Sequence, residues 1–215
     1  MTAAPTRPHD RGVLLRWWRS GPVMLARGVH APEVLAAAAS VVVLFAALPV
    51  VSLPVGMITA DEPVRLPLYL IEPILLAIIA TPLCFSAAST LEATAARRAR
   101  RWHALTIGVV VALVCGLLAM QPNVLSQEVP RVLATYLGSM GMMLLGATTL
   151  GQLGWLVPLA YLLMLSVIGA SGFGELSFWA WSVQPIGTAA PSALLLLAAG
   201  SAALAARWRT RALTG

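Results

Sequence analysis

Hydrophobic positions in this chain do not alternate with polar ones; they come in long runs separated by short polar interludes. An α-helix rises about 1.5 Å per residue, so roughly 20 apolar residues cross a hydrocarbon core, with about 17–25 tolerated. Six runs approach that length, over approximately residues 34–53, 66–85, 105–120, 132–150, 153–170 and 190–206. The third and sixth are short and are expected to extend into flanking polar residues. Pro32 and Glu33 open the first run as a helix start, because proline has no N–H to lose there and a carboxylate suits the positive end of the helix dipole. Only Gly151 and Gln152 separate the fourth and fifth runs, which predicts a tight antiparallel hairpin. The pattern predicts an all-α membrane protein: a six-helix transmembrane domain over residues 33–207, after an N-terminal segment (1–32) and before a short tail (208–215).

Three segments outside these runs carry information of their own. Residues 11–25, RGVLLRWWRSGPVML, mix arginines with Val13, Leu14, Leu15, Trp17 and Trp18. They predict an amphipathic helix on the cytoplasmic surface, apolar groups in lipid and guanidinium groups near phosphate, with a disordered basic tail as the alternative. Residues 88–103, ASTLEATAARRARRWH, can form a short alanine-rich helix capped by Ser89 or Thr90. That segment is either a docking surface for a cytoplasmic partner or a plain stop-transfer loop on acidic lipid. Residues 171–189, SGFGELSFWAWSVQPIGTA, are too interrupted to span and too aromatic for a solvated loop. They predict a broken extracytoplasmic helix that dips into the outer leaflet or lies upon it.

Composition sharpens this picture. The chain is 59% hydrophobic and 10% charged, where a soluble domain carries about a quarter charged residues. All 14 basic residues are arginines, so there is no lysine for a phosphate-binding loop or a Schiff base. Any ATP-driven work must draw on another chain. Twelve arginines fall before the first run, between the second and third, or after the sixth; only Arg65 and Arg131 fall in the other loops. Arginine-rich loops stay in the cytoplasm, which predicts a multi-pass protein of the bacterial cell membrane with both termini inside. Trp17, Trp18, Trp102, Trp155 and Trp208 would lie at the inner interface and Trp179 and Trp181 at the outer, as indole rings at headgroup level should. The same arginines, standing beside apolar runs, argue against a nucleic-acid partner.

Candidate chemistry is sparse. Glu72 is the one ionisable residue deep within a run, and Pro73 follows it. A carboxylate in hydrocarbon costs at least a few kcal/mol, so Glu72 should face a polar interior, either in a substrate path or gate or as a structural hydrogen-bonding group. Gly169-Ala170-Ser171-Gly172 matches the GxSG motif of rhomboid intramembrane proteases, whose serine needs a nearby base. His9, His30 and His103 all precede it and belong to the opposite face, so the tetrapeptide reads as a turn. Gly138, Gly141 and Gly146 leave room for close helix approach, inside the bundle or at a dimer seam. Cys84 and Cys115 read as small hydrophobes, and no metal-ligand spacing is present.

Taken together, the runs, the basic loop and the aromatic segment resemble the permease subunits of ATP-binding-cassette exporters of the second type, in particular small actinobacterial ones. The stretches that carry the resemblance are Leu91-Glu92 through Arg101-Trp102-His103, Gly154-Trp155-Leu156-Val157-Pro158 and Phe178-Trp179-Ala180-Trp181. The resemblance implies that residues 11–29 are a connecting helix and that residues 88–103, with Glu92, Arg97, Arg98, Arg100 and Arg101, meet the ATPase. It further implies that residues 171–189 lid the translocation path, that ATP is bound by the partner subunit and not by this chain, and that a second permease completes a homo- or heterodimer. A lipid, an amphipathic natural product or a peptide is the expected substrate. An energy-coupling-factor importer subunit and a membrane-embedded enzyme or scaffold of lipid metabolism are the alternatives; the enzyme lacks any visible constellation of nucleophile, base or metal ligands.

Overall fold

The computed structural model of the protein describes residues 30–47, 52–55, 64–84, 97–121, 124, 127–171, 175–176 and 179–214. The expected amphipathic helix with Trp17 and Trp18 lies outside these residues, as does Glu92. Among the described residues there are six α-helices: α1 (Ala31–Ala47), α2 (Glu72–Ile79), α3 (Arg97–Ala119), α4 (Val129–Thr149), α5 (Leu156–Ile168) and α6 (Ile186–Thr214). Three helical stretches are long and apolar enough to cross a membrane: Val129–Thr149, Gly151–Ile168 and Ile186–Arg207. Ala31–Ala47 and His103–Ala119 are apolar but shorter.

The second run differs from the continuous helix its hydropathy predicts. It enters as strand β2 (Val64–Pro67), paired antiparallel with β1 (Ser52–Val55), then passes through a 3₁₀ turn at Leu68–Leu70 into the eight-residue α2. A second 3₁₀ turn, Thr81–Cys84, follows it. Pro67, Pro73 and Pro82 are the physical reason, since a proline lacks the N–H that would continue a helix from the preceding turn through it. Pro73 is tolerated because it sits in the first turn of α2, where the N–H has no intrahelical partner anyway. Among the described residues of the segment after α5, the expected broken helix is likewise replaced. The segment holds a two-stranded hairpin, β3 (Ala170–Ser171) with β4 (Glu175–Leu176), and a 3₁₀ turn at Trp181–Val183. Ser171, expected in a turn, therefore pairs with Glu175.

Cross-helix contacts set the helix directions. Gln121 after α3 meets Glu72 at the start of α2, while His103 near the start of α3 meets the carbonyl of Leu83 beyond α2. Hence α2 and α3 are antiparallel. Gly141 of α4 abuts Leu196 of α6, and further on the Arg207 guanidinium donates to the Ala147 carbonyl, so α4 and α6 are parallel. That bond also satisfies a carbonyl that the end of α4 leaves without an intrahelical partner. Gly151, with φ of +62°, reverses the chain after α4, and the 3₁₀ turn Gly151–Trp155 leads into α5. The tight hairpin expected there is present. One end of the bundle thus gathers Glu72, Gln121, Glu128 and Arg131, and the other gathers Leu83, His103, Gly151 and Arg207.

Helix α4 is the axle, buried on almost every side from Val132 to Ala147. Its glycines serve internal packing. A Cβ at Gly141 would strike the Leu196 backbone, one at Gly138 the Trp181 ring, and one at Gly146 the Gly154 carbonyl. Polar side chains are inside: Glu72, His103, Gln121, Thr135, Ser139 and Ser182 are all buried. Large apolar ones are outside, including Leu105, Val109 and Leu113 along α3 and Leu194 and Leu195 on α6. Such a surface suits hydrocarbon, not water, as its neighbour.

Candidate functional site

Besides the His103–Leu83 contact, the described polar groups inside the bundle converge at two places. The first is built around the 3₁₀ turn Trp181–Val183. Pro185 ends the turn, having no N–H to extend it, and α6 starts directly afterwards. The turn is tied to α4 and α5 through Ser182 and the Val183 carbonyl. The Ser182 hydroxyl and Tyr161 hydroxyl are 2.7 Å apart, and the Ser182 N–H donates to the same tyrosine oxygen at 3.2 Å. The Thr135 hydroxyl donates to the Arg131 carbonyl at 2.9 Å and reaches the Ser182 carbonyl at 3.3 Å. The Arg131 guanidinium donates to the Val183 carbonyl and faces Glu128 at 3.5 Å.

Trp181 turns inward from this anchor. Its ring stacks on Tyr161 at 5.8 Å between centroids and fills the notch left by Gly138. Gly138 is seven residues beyond Arg131, about 10 Å along the helix axis. Trp181, expected among the interfacial tryptophans, is 7% exposed and packed against α4 and α5. Trp179 stays half-buried, edge-on to Tyr161 at 6.3 Å.

Beside this turn α5 and α6 splay apart over α4, leaving a cleft of about 740 Å³. Met142, Val157, Tyr161, Trp179, Trp181 and Leu196 are among the residues that line it, and it is largely open. The Tyr161 and Ser192 hydroxyls are the polar side-chain groups at its wall, with the indole N–H groups; most of the rest is aliphatic or aromatic. A hydrocarbon chain is the natural guest of such a surface.

The second convergence is Glu72 with Gln121. The Gln121 side-chain nitrogen lies 2.8 Å from one carboxylate oxygen of Glu72 and 2.9 Å from the other. Glu72 is fully buried in the first turn of α2, where the helix dipole favours its charge, and Ile74 and Leu76 pack away beside it. Among the described residues no group of three histidines, cysteines or carboxylates could hold a metal.

Of the residues singled out in the sequence, Glu72 and Trp181 fall at these convergences. Arg97, Arg98, Arg100 and Arg101 form the first turns of α3 and run straight into the third apolar stretch, not as a separate helix. Trp102 follows them in α3, Trp208 lies in α6, and Trp155 is half-buried at the start of α5. Sequence reasoning missed Gln121, Tyr161, Thr135 and Ser182. Gln121 is the first polar residue after an apolar run and Tyr161 the one phenol in α5, but nothing in their spacing names their partners. No protein-family model matches the sequence, and no curated protein and no solved structure matches it.

Proposed function

We propose that this chain is the membrane-spanning permease subunit of an ATP-binding-cassette exporter of the second type. It crosses the bacterial cell membrane six times with both termini in the cytoplasm. It forms the path for a lipid, an amphipathic natural product or a peptide, while a separate ATPase chain binds and turns over ATP. The observation that carries this reading is the aromatic turn between α5 and α6, sunk against the central helix and bordered by an open apolar cleft lined by both helices. A path for an amphipath needs such an opening and something to close its aqueous end.

The sidedness is supported by the helix directions, which bring the backbone of Arg97–Arg101 and of Arg207–Arg211 to one end and Arg131 to the other. The second pass is supported by the 3₁₀ turns flanking α2, which rise about 2.0 Å per residue and lengthen a short helix. Pairing with a second permease is supported by the exposed face of α3, where Ala104, Gly108, Ala112 and Gly116 recur every fourth residue.

Co-expression with an ATPase encoded beside this chain tests the proposal. The expected result is a co-purifying complex whose nucleotide turnover falls when residues 88–103 are replaced by a neutral linker. Tight binding of a vitamin-sized ligand by the isolated chain, with no effect of residues 88–103, would favour the importer subunit instead.

A further inference from the structure

A lone carboxylate in the interior of an apolar bundle would ordinarily be paired with arginine, which can only donate hydrogen bonds and so holds its partner ionised. Glu72 is paired with a glutamine. The Gln121 carboxamide carries two donor hydrogens on one atom and an acceptor oxygen on the other, and the two differ only by a half-turn about the terminal torsion. With its nitrogen toward Glu72 at 2.8 and 2.9 Å, it matches a carboxylate, which only accepts. With its oxygen toward Glu72 it matches a carboxylic acid, which donates. Either protonation state finds a satisfied partner in the same place.

We propose that Glu72 and Gln121 form a proton-binding site, in which the carboxylate gains an O–H bond to a proton from the adjoining water and the Gln121 carboxamide turns over to accept from it. The release step reverses both events, so no other reactant is consumed. Two features besides the pair support it. Gln121 stands just past the end of α3, so the site lies one side chain from the loop at that end of the bundle. Deeper along α4, Tyr136 and Ser139 are buried with hydroxyls that have no hydrogen-bond partner. They share the α4 stripe that reaches Cys115 of α3 and, through Met143, Cys84. Unsatisfied buried hydroxyls offer oxygens to a proton or water moving inward from Glu72.

The titratable and charged side chains described around this end of α2 are Tyr69 before it, Glu128, Arg131 and Tyr136 on or beside α4, and Cys115 on α3. Arg131 is engaged by Glu128 and the Val183 carbonyl. Of the described residues, Gln121 is the hydrogen-bond partner recorded for the carboxyl.

Infrared difference spectroscopy of the full chain in phosphatidylcholine vesicles, stepped in pH, tests the proposal without any transport assay, so its outcome is independent of the permease reading. The expected signal is a carboxylic-acid carbonyl band that grows on acidification, is lost in Glu72→Gln and persists in Glu128→Gln. Gln121→Arg, which keeps the donors and removes the acceptor, is expected to abolish the band across the same pH range. This second variant decides the matter should Glu72→Gln fail to accumulate. A band that survives Glu72→Gln, or one that survives Gln121→Arg, overturns the proposal. So does a band that responds to sodium replacing choline at constant pH, since a metal cation would then be the guest.

Discussion

The Trp181 indole lies so close to Gly138 that a single added methyl group would overlap its six-membered ring. The contact joins the turn between the fifth and sixth helices to the middle of the central helix, and it makes the position of that turn sensitive to one side chain on α4.

Gly138→Ala should therefore displace the turn or strain the bundle. Overpacking of this kind costs about 1–3 kcal/mol, read as a lowered unfolding temperature in detergent. Trp181→Phe in the same chain should recover part of that loss, because the smaller ring leaves the notch. If the two substitutions are simply additive, the contact does not exist in solution.

Tyr161→Phe removes the hydroxyl that meets both the Ser182 side chain and its N–H. Each buried polar group left unpaired costs about 1–3 kcal/mol. The expected outcome is a destabilised chain whose tryptophan emission shifts to longer wavelength as Trp181 loosens. An unchanged spectrum and unfolding temperature would mean that the turn is held by other groups.

Gln121→Leu leaves the Glu72 carboxyl buried without its partner, and destabilisation of several kcal/mol is expected. Glu72→Leu combined with Gln121→Leu should be markedly more stable than Gln121→Leu alone, since an apolar pair leaves nothing unsatisfied. Equal stability of the single and double variants would show that the two groups are not coupled. On transport, Glu72→Gln keeps the shape and removes the charge; unchanged transport at unchanged expression would make the carboxyl purely structural.

Sidedness is testable with a single cysteine in a chain whose Cys84 and Cys115 are replaced by alanine. Impermeant maleimide added to intact cells should label Ala60→Cys and spare Ala95→Cys until the membrane is opened. The reverse pattern would invert the bundle and remove the proposed ATPase-facing surface from the cytoplasm.

Much of the fold was legible in the chain, for a specific reason. In hydrocarbon every backbone N–H and C=O must be satisfied locally, so a long apolar run has few conformations other than a helix. The six described helices accordingly fall on the six runs, and Gly151 turns the chain where its lack of a side chain permits φ of +62°. The second run misleads because hydropathy adds up side chains and ignores hydrogen-bond continuity; Pro67, Pro73 and Pro82 interrupt the ladder without lowering apolarity. The burial of Trp181 was not legible for a related reason: the notch at Gly138 that receives its ring lies 43 positions earlier in the chain.

What the chain determined by itself is local: where helices form, how the basic residues are segregated, and which chemistries its residue types exclude. The tertiary structure alone decided the pairings of Glu72 with Gln121 and of Tyr161 with Ser182, and the cleft between α5 and α6. These join residues up to 49 positions apart. Side-chain pairing across helices depends on rotation and depth in the bundle, quantities set by how the helices pack and carried by no short stretch of sequence.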